Sequence, residues 1–225
     1  MASKTSRPRS PQSSAKKGGL SPALQAMEHL RTADPVLYAA ALPHLEDLEA
    51  RMKHRRGYRK LFEALAGSVV SQQLSTKAAD TIWGRLEKAC KGVVTPEAIV
   101  KLRITTMRSA GLSAAKVRTL KELSAALMAG TLSLEKLRRI PEAKAIESLT
   151  AIWGIGTWTA EMFLIFALHR ADVFSVKDLG LRRSVEALYG LPKDVPAAQI
   201  EAIAVRWAPH RSFASRALWR IRDSA

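Results

Sequence analysis

The residues with the clearest chemical potential lie around two glycines. In Leu149-Thr150-Ala151-Ile152-Trp153-Gly154-Ile155-Gly156-Thr157-Trp158-Thr159-Ala160, one apolar residue separates Gly154 from Gly156. A helical pattern ends near Ala151 and another begins near Thr157. Glycine permits a tight turn and lets a second backbone come close. The helix that follows presents unpaired N–H groups at its positive end, a natural site for a phosphate. Leu149 and Ile152 should anchor such a hairpin, with Ile155 plugging the turn into the core. A purely structural helix–helix turn fits the same residues. A dinucleotide fold does not, because no strand precedes the glycines. The second candidate is the carboxylate of Asp178, which closes the run Asp172-Val173-Phe174-Ser175-Val176-Lys177-Asp178. Taken alone it reads as the N-cap of a helix over Leu179 to Tyr189, with Val185 and Leu188 turned inward.

The elements that must position these groups are helices. Ser21 before Pro22, Asp34 before Pro35 and Thr95 before Pro96 each set a capping side chain ahead of a proline at the first helical position. Ser75, Ser113 and Ser133 precede further helical patterns, and Gly67, Gly111, Gly130 and Gly190 read as stops. Between Ala114 and Met128, the residues Val117, Leu120, Leu123, Leu127 and Met128 form one stripe, with Lys116, Arg118, Lys121 and Glu122 elsewhere. Only Gly92 to Thr95 suggests an extended piece. The expectation is an all-α chain of roughly ten or eleven helices with short connections.

Composition narrows the partners. The chain has 225 residues, with 36 Lys and Arg against 20 Asp and Glu, a formal net charge of +16. Such an excess suits a polyanion. Lys4, Arg7, Arg9, Lys16 and Lys17 sit in the first nineteen residues without an acid, yet the remainder is still strongly basic. Residues 1–19 are rich in Ser, Pro, Lys and Arg, and are expected to form a disordered basic tail. Residues 20–225 are expected to form a single all-α domain. Cys90 is the only cysteine, so no intrachain disulfide, cysteine-rich zinc site or four-cysteine iron–sulfur cluster can be built. Cys90 itself reads as a small apolar packer. No apolar run is long enough to span a bilayer, and no apolar block follows the basic N-terminus. An intracellular setting is expected.

The hairpin and the run to Asp178 carry a family resemblance. With Val69-Val70-Ser71-Gln72-Gln73-Leu74-Ser75 upstream, and Trp207-Ala208-Pro209-His210-Arg211-Ser212-Phe213-Ala214 leading to Trp219, they follow the order of the helix–hairpin–helix superfamily of DNA glycosylases. The chain resembles most its 3-methyladenine DNA glycosylase II branch, over roughly Leu61 to Arg222. The resemblance implies a two-lobed all-α fold with the active site in the cleft between the lobes. The extra N-terminal β-rich domain common in the bacterial branch has no counterpart before Leu61.

It also implies chemistry. Asp178 matches the family's catalytic aspartate, which supports positive charge on the sugar as a base departs and orients a water. Asp172 ranks second and reads as structural. Trp158 stands where lyase-type relatives carry a nucleophilic lysine. An indole cannot form a Schiff base, and Lys177 should point away from its neighbour Asp178. Hydrolysis leaving an intact abasic site is therefore expected. Gln72-Gln73-Leu74 matches the wedge that fills the stack when a nucleotide is flipped, with Gln73 or Leu74 as the inserted side chain. Gly154, Gly156, Thr157 and Thr159 would grip the DNA backbone. Trp158, Trp219 and Met162 would line the base pocket, while Trp83 and Trp153 read as core. Lys116, Arg182, Arg183, Arg211 and Arg216 are candidate phosphate contacts. The implied partner is double-stranded DNA containing damaged bases, bound by a monomer alongside the chromosomal DNA, away from membranes. No cofactor or metal is expected beyond a structural cation on the hairpin's backbone carbonyls. A catalytically dead DNA-binding module and a bifunctional glycosylase–lyase are the competing readings. The preferred lesion stays open among 3-methyladenine, 7-methylguanine, 1-methyladenine and deaminated purines.

Overall fold

A computed structural model describes residues 19–52 and 58–224. The stretch expected to be a disordered tail therefore lies outside the described residues, apart from Gly19. Thirteen α-helices and three short 3-10 turns make up the described regular structure, and no strand is among it. In order they are α1 (Pro22–Ala33), α2 (Pro35–Ala41), α3 (Leu45–Met52), α4 (Tyr58–Ser71), α5 (Thr76–Ala89), α6 (Pro96–Lys101) and α7 (Ile104–Ser109). Then come α8 (Ala114–Met128), α9 (Glu142–Thr150), α10 (Thr157–Phe166), α11 (Leu179–Leu188), α12 (Ala197–Ala204) and α13 (Arg211–Arg222).

The capping residues start helices as their chemistry requires. Ser21, Asp34, Thr95, Ser75 and Ser113 each accept a hydrogen bond from the backbone N–H three residues on. Ser133 does the same for Lys136, but only a 3-10 turn (Lys136–Arg138) follows. Gly111, Gly130 and Gly190 lie just past helix ends, whereas Gly67 is inside α4. Its neighbours Ala66, Val69 and Val70 are buried. Packing along that face carries the helix through a residue that costs only about 1 kcal/mol there. Gly92 ends a turn, and the residues after it form no strand, though Thr95 has extended backbone angles as the cap of α6.

The buried side chains form two clusters. One runs from Leu61 to Val173 and is built by α4 to α10 and their connections. The other joins α1 to α3 with Phe174 and α11 to α13. The chain thus crosses from one core to the other between Val173 and Phe174, four residues before Asp178 begins α11. Trp219 packs against both clusters.

Within the second core, Asp34 does more than cap α2. Its Oδ1 accepts from Leu37 N–H at 3.1 Å, and its Oδ2 accepts from Tyr189 O–H at 2.6 Å and Trp207 Nε1–H at 2.8 Å. One buried carboxylate so ties the first helices to α11 and to the segment before α13. Burial and the Asp34 contact push the Tyr189 phenol well above its ordinary range.

Candidate active site

The hairpin forms between α9 and α10. Leu149, Ile152 and Ile155 are all buried, so both legs and the turn are fixed to the first core. Gly154 has φ of 84°, and a Cβ there would collide with Oγ1 of Thr119 on α8. This position therefore needs glycine both for its backbone angle and for the close approach of α8. Gly156 is the N-cap of α10 and brings no capping side chain. Thr157 and Trp158 follow at the helix's positive end, while Thr159 is buried.

The Gln72-Gln73-Leu74 turn, the expected wedge, is strapped to this hairpin. Gln72 Nε2 donates to the Gly154 carbonyl at 3.2 Å and lies 3.4 Å from Thr159 Oγ1. Gln73 adopts a left-handed φ of 55°, and both Gln73 and Leu74 are exposed. The Lys116 ammonium donates to the carbonyls of Val70 and Gln72, each at 2.8 Å, and closes the end of α4. Burial pushes its pKa below the ordinary lysine range. Wedge turn, hairpin and the start of α8 together line a groove of about 560 Å³, in which Trp153 and Trp158 stand beside Leu74. Trp153 is exposed under the Arg118 guanidinium, 4.3 Å from its ring centroid, and is not a core residue. The tight turn carries it outward while Ile152 and Ile155 take the inward positions. Trp83 packs against the first core.

Asp178 sits at the first turn of α11 and is 9% exposed. Oδ1 accepts from Leu181 N–H at 2.7 Å and from Trp219 Nε1–H at 3.2 Å, and Oδ2 accepts from Trp158 Nε1–H at 2.6 Å. All three neighbours donate, which suits an acceptor-only carboxylate. The cap and the contact with the hairpin's helix therefore coexist on different oxygens. Lys177 is exposed where Asp178 is buried, as expected of adjacent side chains facing apart. Met162 is half-buried and lines a separate cavity with Phe163 and Phe166. Phe166 also lines the cavity that Trp219 walls.

Most of the candidate phosphate contacts are engaged within the protein. Arg211 forms an ion pair with Asp172 at 2.7 Å, Arg183 with Glu186 and Asp194, both at 2.6 Å. Arg182 donates to the Val195 carbonyl and Arg216 to the Ile165 carbonyl. Charge type marks these residues in a sequence, but most of their partners lie in other segments or on the backbone; the Arg183–Glu186 pair, three residues apart in α11, is the local one.

Glu161, which pattern reading passed over, braces the segment beside the site. It is buried in α10, and Ser175 Oγ donates to its Oε2 at 2.5 Å. The contact pins the segment leading to Asp178 onto the hairpin's second helix. Burial raises the Glu161 pKa above the ordinary carboxylate range, and nearby Glu142 and Asp178 act in the same direction. The available signal was a lone acid within the otherwise apolar Thr157–Phe166. Among the described residues, no group of three or more His, Cys, Asp or Glu side chains could hold a metal.

Comparison with known proteins agrees with this geometry. Residues 66–210 match the model of the HhH-GPD superfamily base excision DNA repair proteins. The chain is 37% identical over 162 residues to DNA-3-methyladenine glycosylase 1 of Schizosaccharomyces pombe, covering 71% of each chain. A DNA-3-methyladenine glycosidase from Bacillus halodurans superposes with a TM-score of 0.73 at 31% identity, over 89% of this chain and 88% of that one. A Schizosaccharomyces pombe 3-methyladenine DNA glycosylase in complex with abasic DNA gives 0.67 at 33%, over 87% and 95%. With its glycine hairpin, the Gln72–Leu74 turn strapped to it and the carboxylate at the head of α11, this chain belongs to the HhH-GPD superfamily of base excision DNA repair proteins.

Proposed function

We propose that the protein is a monofunctional DNA glycosylase that releases alkylated bases from duplex DNA. The observation that carries the reading is the carboxylate of Asp178 held by the indole N–H of Trp158, the residue two positions past the hairpin glycines. Relatives named as 3-methyladenine glycosylases support the substrate class.

The hairpin's Gly154, Gly156 and Thr157 hold a DNA phosphate at the uncapped start of α10. Gln73 or Leu74 enters the stack as the target nucleotide leaves it. Trp158 and Trp219 flank the extruded nucleotide, in the cleft where the two cores meet. The C1′–N bond breaks with its electron pair going to the base, so a cationic methylated base departs neutral. The sugar is left with positive charge, which the Asp178 carboxylate stabilises. At about 4 Å and an effective dielectric near 20 that attraction is worth roughly 4 kcal/mol, or around a thousandfold in rate. Water adds to C1′, losing one proton, and the strand stays intact as an abasic site. Trp158 offers no amine for a Schiff base, which separates this route from that of a lyase.

The reaction so drawn uses no cofactor. A structural cation on the hairpin would have to share the carbonyls of Leu149, Ile152 and Gly154, which already accept from Ile152, Ile155 and Gln72. No described helix is long and apolar enough to cross a membrane. The protein acts as a monomer on chromosomal DNA. Incubation with a methylated duplex should release free methylated purines and leave strands that break only on alkaline treatment. Direct strand nicking, or an adduct trapped by borohydride, would overturn the monofunctional reading.

A further inference from the structure

Lys116 stands where its own helix disfavours it. Ser113 caps α8, its Oγ accepting from the Lys116 N–H at 3.2 Å, so the lysine sits in the first turn. That end of a helix is positive and favours acids over cations, yet the first turn of α8 carries no acid. The ammonium reaches instead to the negative end of α4. There it donates to the carbonyls of Val70 and Gln72, each at 2.8 Å. Helix-end carbonyls have no partner within their own helix, and a cation is favoured beside them. The cost at one helix is thus offset at the other.

The end of α4 carries the Gln72-Gln73-Leu74 turn. Gln73 has the left-handed φ of 55°, which is unfavourable for a residue with a Cβ. The Leu74 N–H closes the turn on the Ser71 carbonyl at 3.1 Å. Gln73 and Leu74 are both exposed, so packing does little to hold that shape. It is held by two straps: Lys116 from α8, and the Gln72 side chain bonded to the Gly154 carbonyl of the hairpin.

One turn further along α8, Thr119 lies so close to Gly154 that a Cβ there would collide with its Oγ1. Lys116 and Thr119 line the same groove. The start of α8 therefore sets the spacing between the hairpin and the Gln72–Leu74 turn. Lys121 uses the same device elsewhere on this helix. Its ammonium donates to the carbonyls of Val100 and Leu102 at the end of α6, at 2.8 and 2.5 Å, and it is not among the residues that line the groove.

We propose that Lys116 is a positioning residue for base extrusion: by tying the end of α4 to α8 it holds Gln73 and Leu74 where one of them enters the stack once the hairpin has gripped the strand. The inference rests on the reading of that turn as the wedge and deepens the function proposed above. A nucleotide leaving a paired duplex opens a gap opposite its partner, which the inserted side chain fills. A turn free to swing would lose part of that gain to ordering, and a turn already held does not. A bulged nucleotide has no partner, leaves no such gap and needs no wedge.

The test is single-turnover release of 7-methylguanine, with enzyme in saturating excess, from one sequence in two forms: paired with cytosine, or as a one-nucleotide bulge. Lys116→Met should slow paired release about tenfold or more, the value of a hydrogen bond to a charged group, and bulged release by less than about twofold. Lys116→Arg, which keeps the charge and the donors, should recover much of the paired rate. Lys121→Met removes the matching bonds at the end of α6 and should leave the paired-to-bulged ratio at the wild-type value. Equal slowing of both forms by Lys116→Met would mean a general structural role, and unchanged rates in both would mean at most a phosphate contact; either overturns the proposal. Should Lys116→Met melt below the assay temperature, Gln72→Met, which cuts the turn's other strap, must lower the same ratio, and an unshifted ratio overturns the proposal. Asp178→Asn separates the two claims: parental release from both forms by that variant means the Asp178 reading has failed, not the Lys116 one.

Discussion

At the scale of single residues, the arrangement turns on which hydrogen bonds Asp178 makes. Trp158 donates to Oδ2 at 2.6 Å, while Leu181 and Trp219 hold Oδ1. Trp158→Phe keeps an aromatic face but removes the donor that fixes Oδ2. We expect single-turnover release of a methylated base to fall about 10- to 100-fold, in line with losing a hydrogen bond to a charged group. DNA affinity should change little, and a parental rate would mean that the indole does not position the carboxylate. The sequence made Asp178 visible twice, as a cap and through resemblance; the structure shows the cap on Oδ1 and leaves Oδ2 to Trp158. The Trp158 contact was not legible, because it joins residues twenty positions apart in different helices. The partner of Arg211 was hidden for a related reason. A cation's type is plain in the chain, but its ion pair with Asp172 forms only after α13 packs against the loop before α11.

At the scale of elements, the hairpin and the cap-initiated helices could be read from local chemistry. Gly154 shows how far that reading went. Its glycine identity suggested a tight turn, but the contact with Thr119 of α8 is tertiary. Gly154→Ala should therefore disturb both turn and packing, at about 1 kcal/mol for the left-handed backbone alone. Duplex binding, followed by fluorescence anisotropy, should weaken with it. Helix α6 was announced by its Thr95-Pro96 start, but α7, six residues long and without a capping side chain, was too short to show a period, which contributes to the undercount. Glu161 tests the join between α10 and the Asp178 segment. Its folded pKa is raised by burial, so its favourable contribution is complete below the ordinary glutamate pKa and declines as pH rises through the folded value. Glu161→Gln keeps a hydrogen-bonding partner for Ser175 without the charge. Its melting temperature relative to wild type should thus rise between pH 4.5 and pH 8. A constant difference would show that Glu161 does not titrate abnormally.

At the scale of the whole molecule, segments near the chain's ends build one core and its middle builds the other, which brings the N-cap of α11 against the first turn of α10 where the chain crosses between them. Binary patterning gave the all-α class and the buried stripes, but it cannot say which stripes share a core. Asp34 is one of the ties that closes the second core, joining residues more than 150 positions apart. Asp34→Ala leaves Tyr189 and Trp207 with buried donors and should cost about 3 kcal/mol. For a chain of this size the melting temperature would fall by roughly 6–12 °C, and an unchanged melt would refute the role. Centrally, we propose that the carboxylate of Asp178, held where the two cores meet, faces the sugar of an extruded nucleotide. The direct measurement is base release and duplex binding by Asp178→Asn on a single methylated substrate. We predict release reduced about a thousandfold with affinity close to wild type, and release at the parental rate would contradict the account.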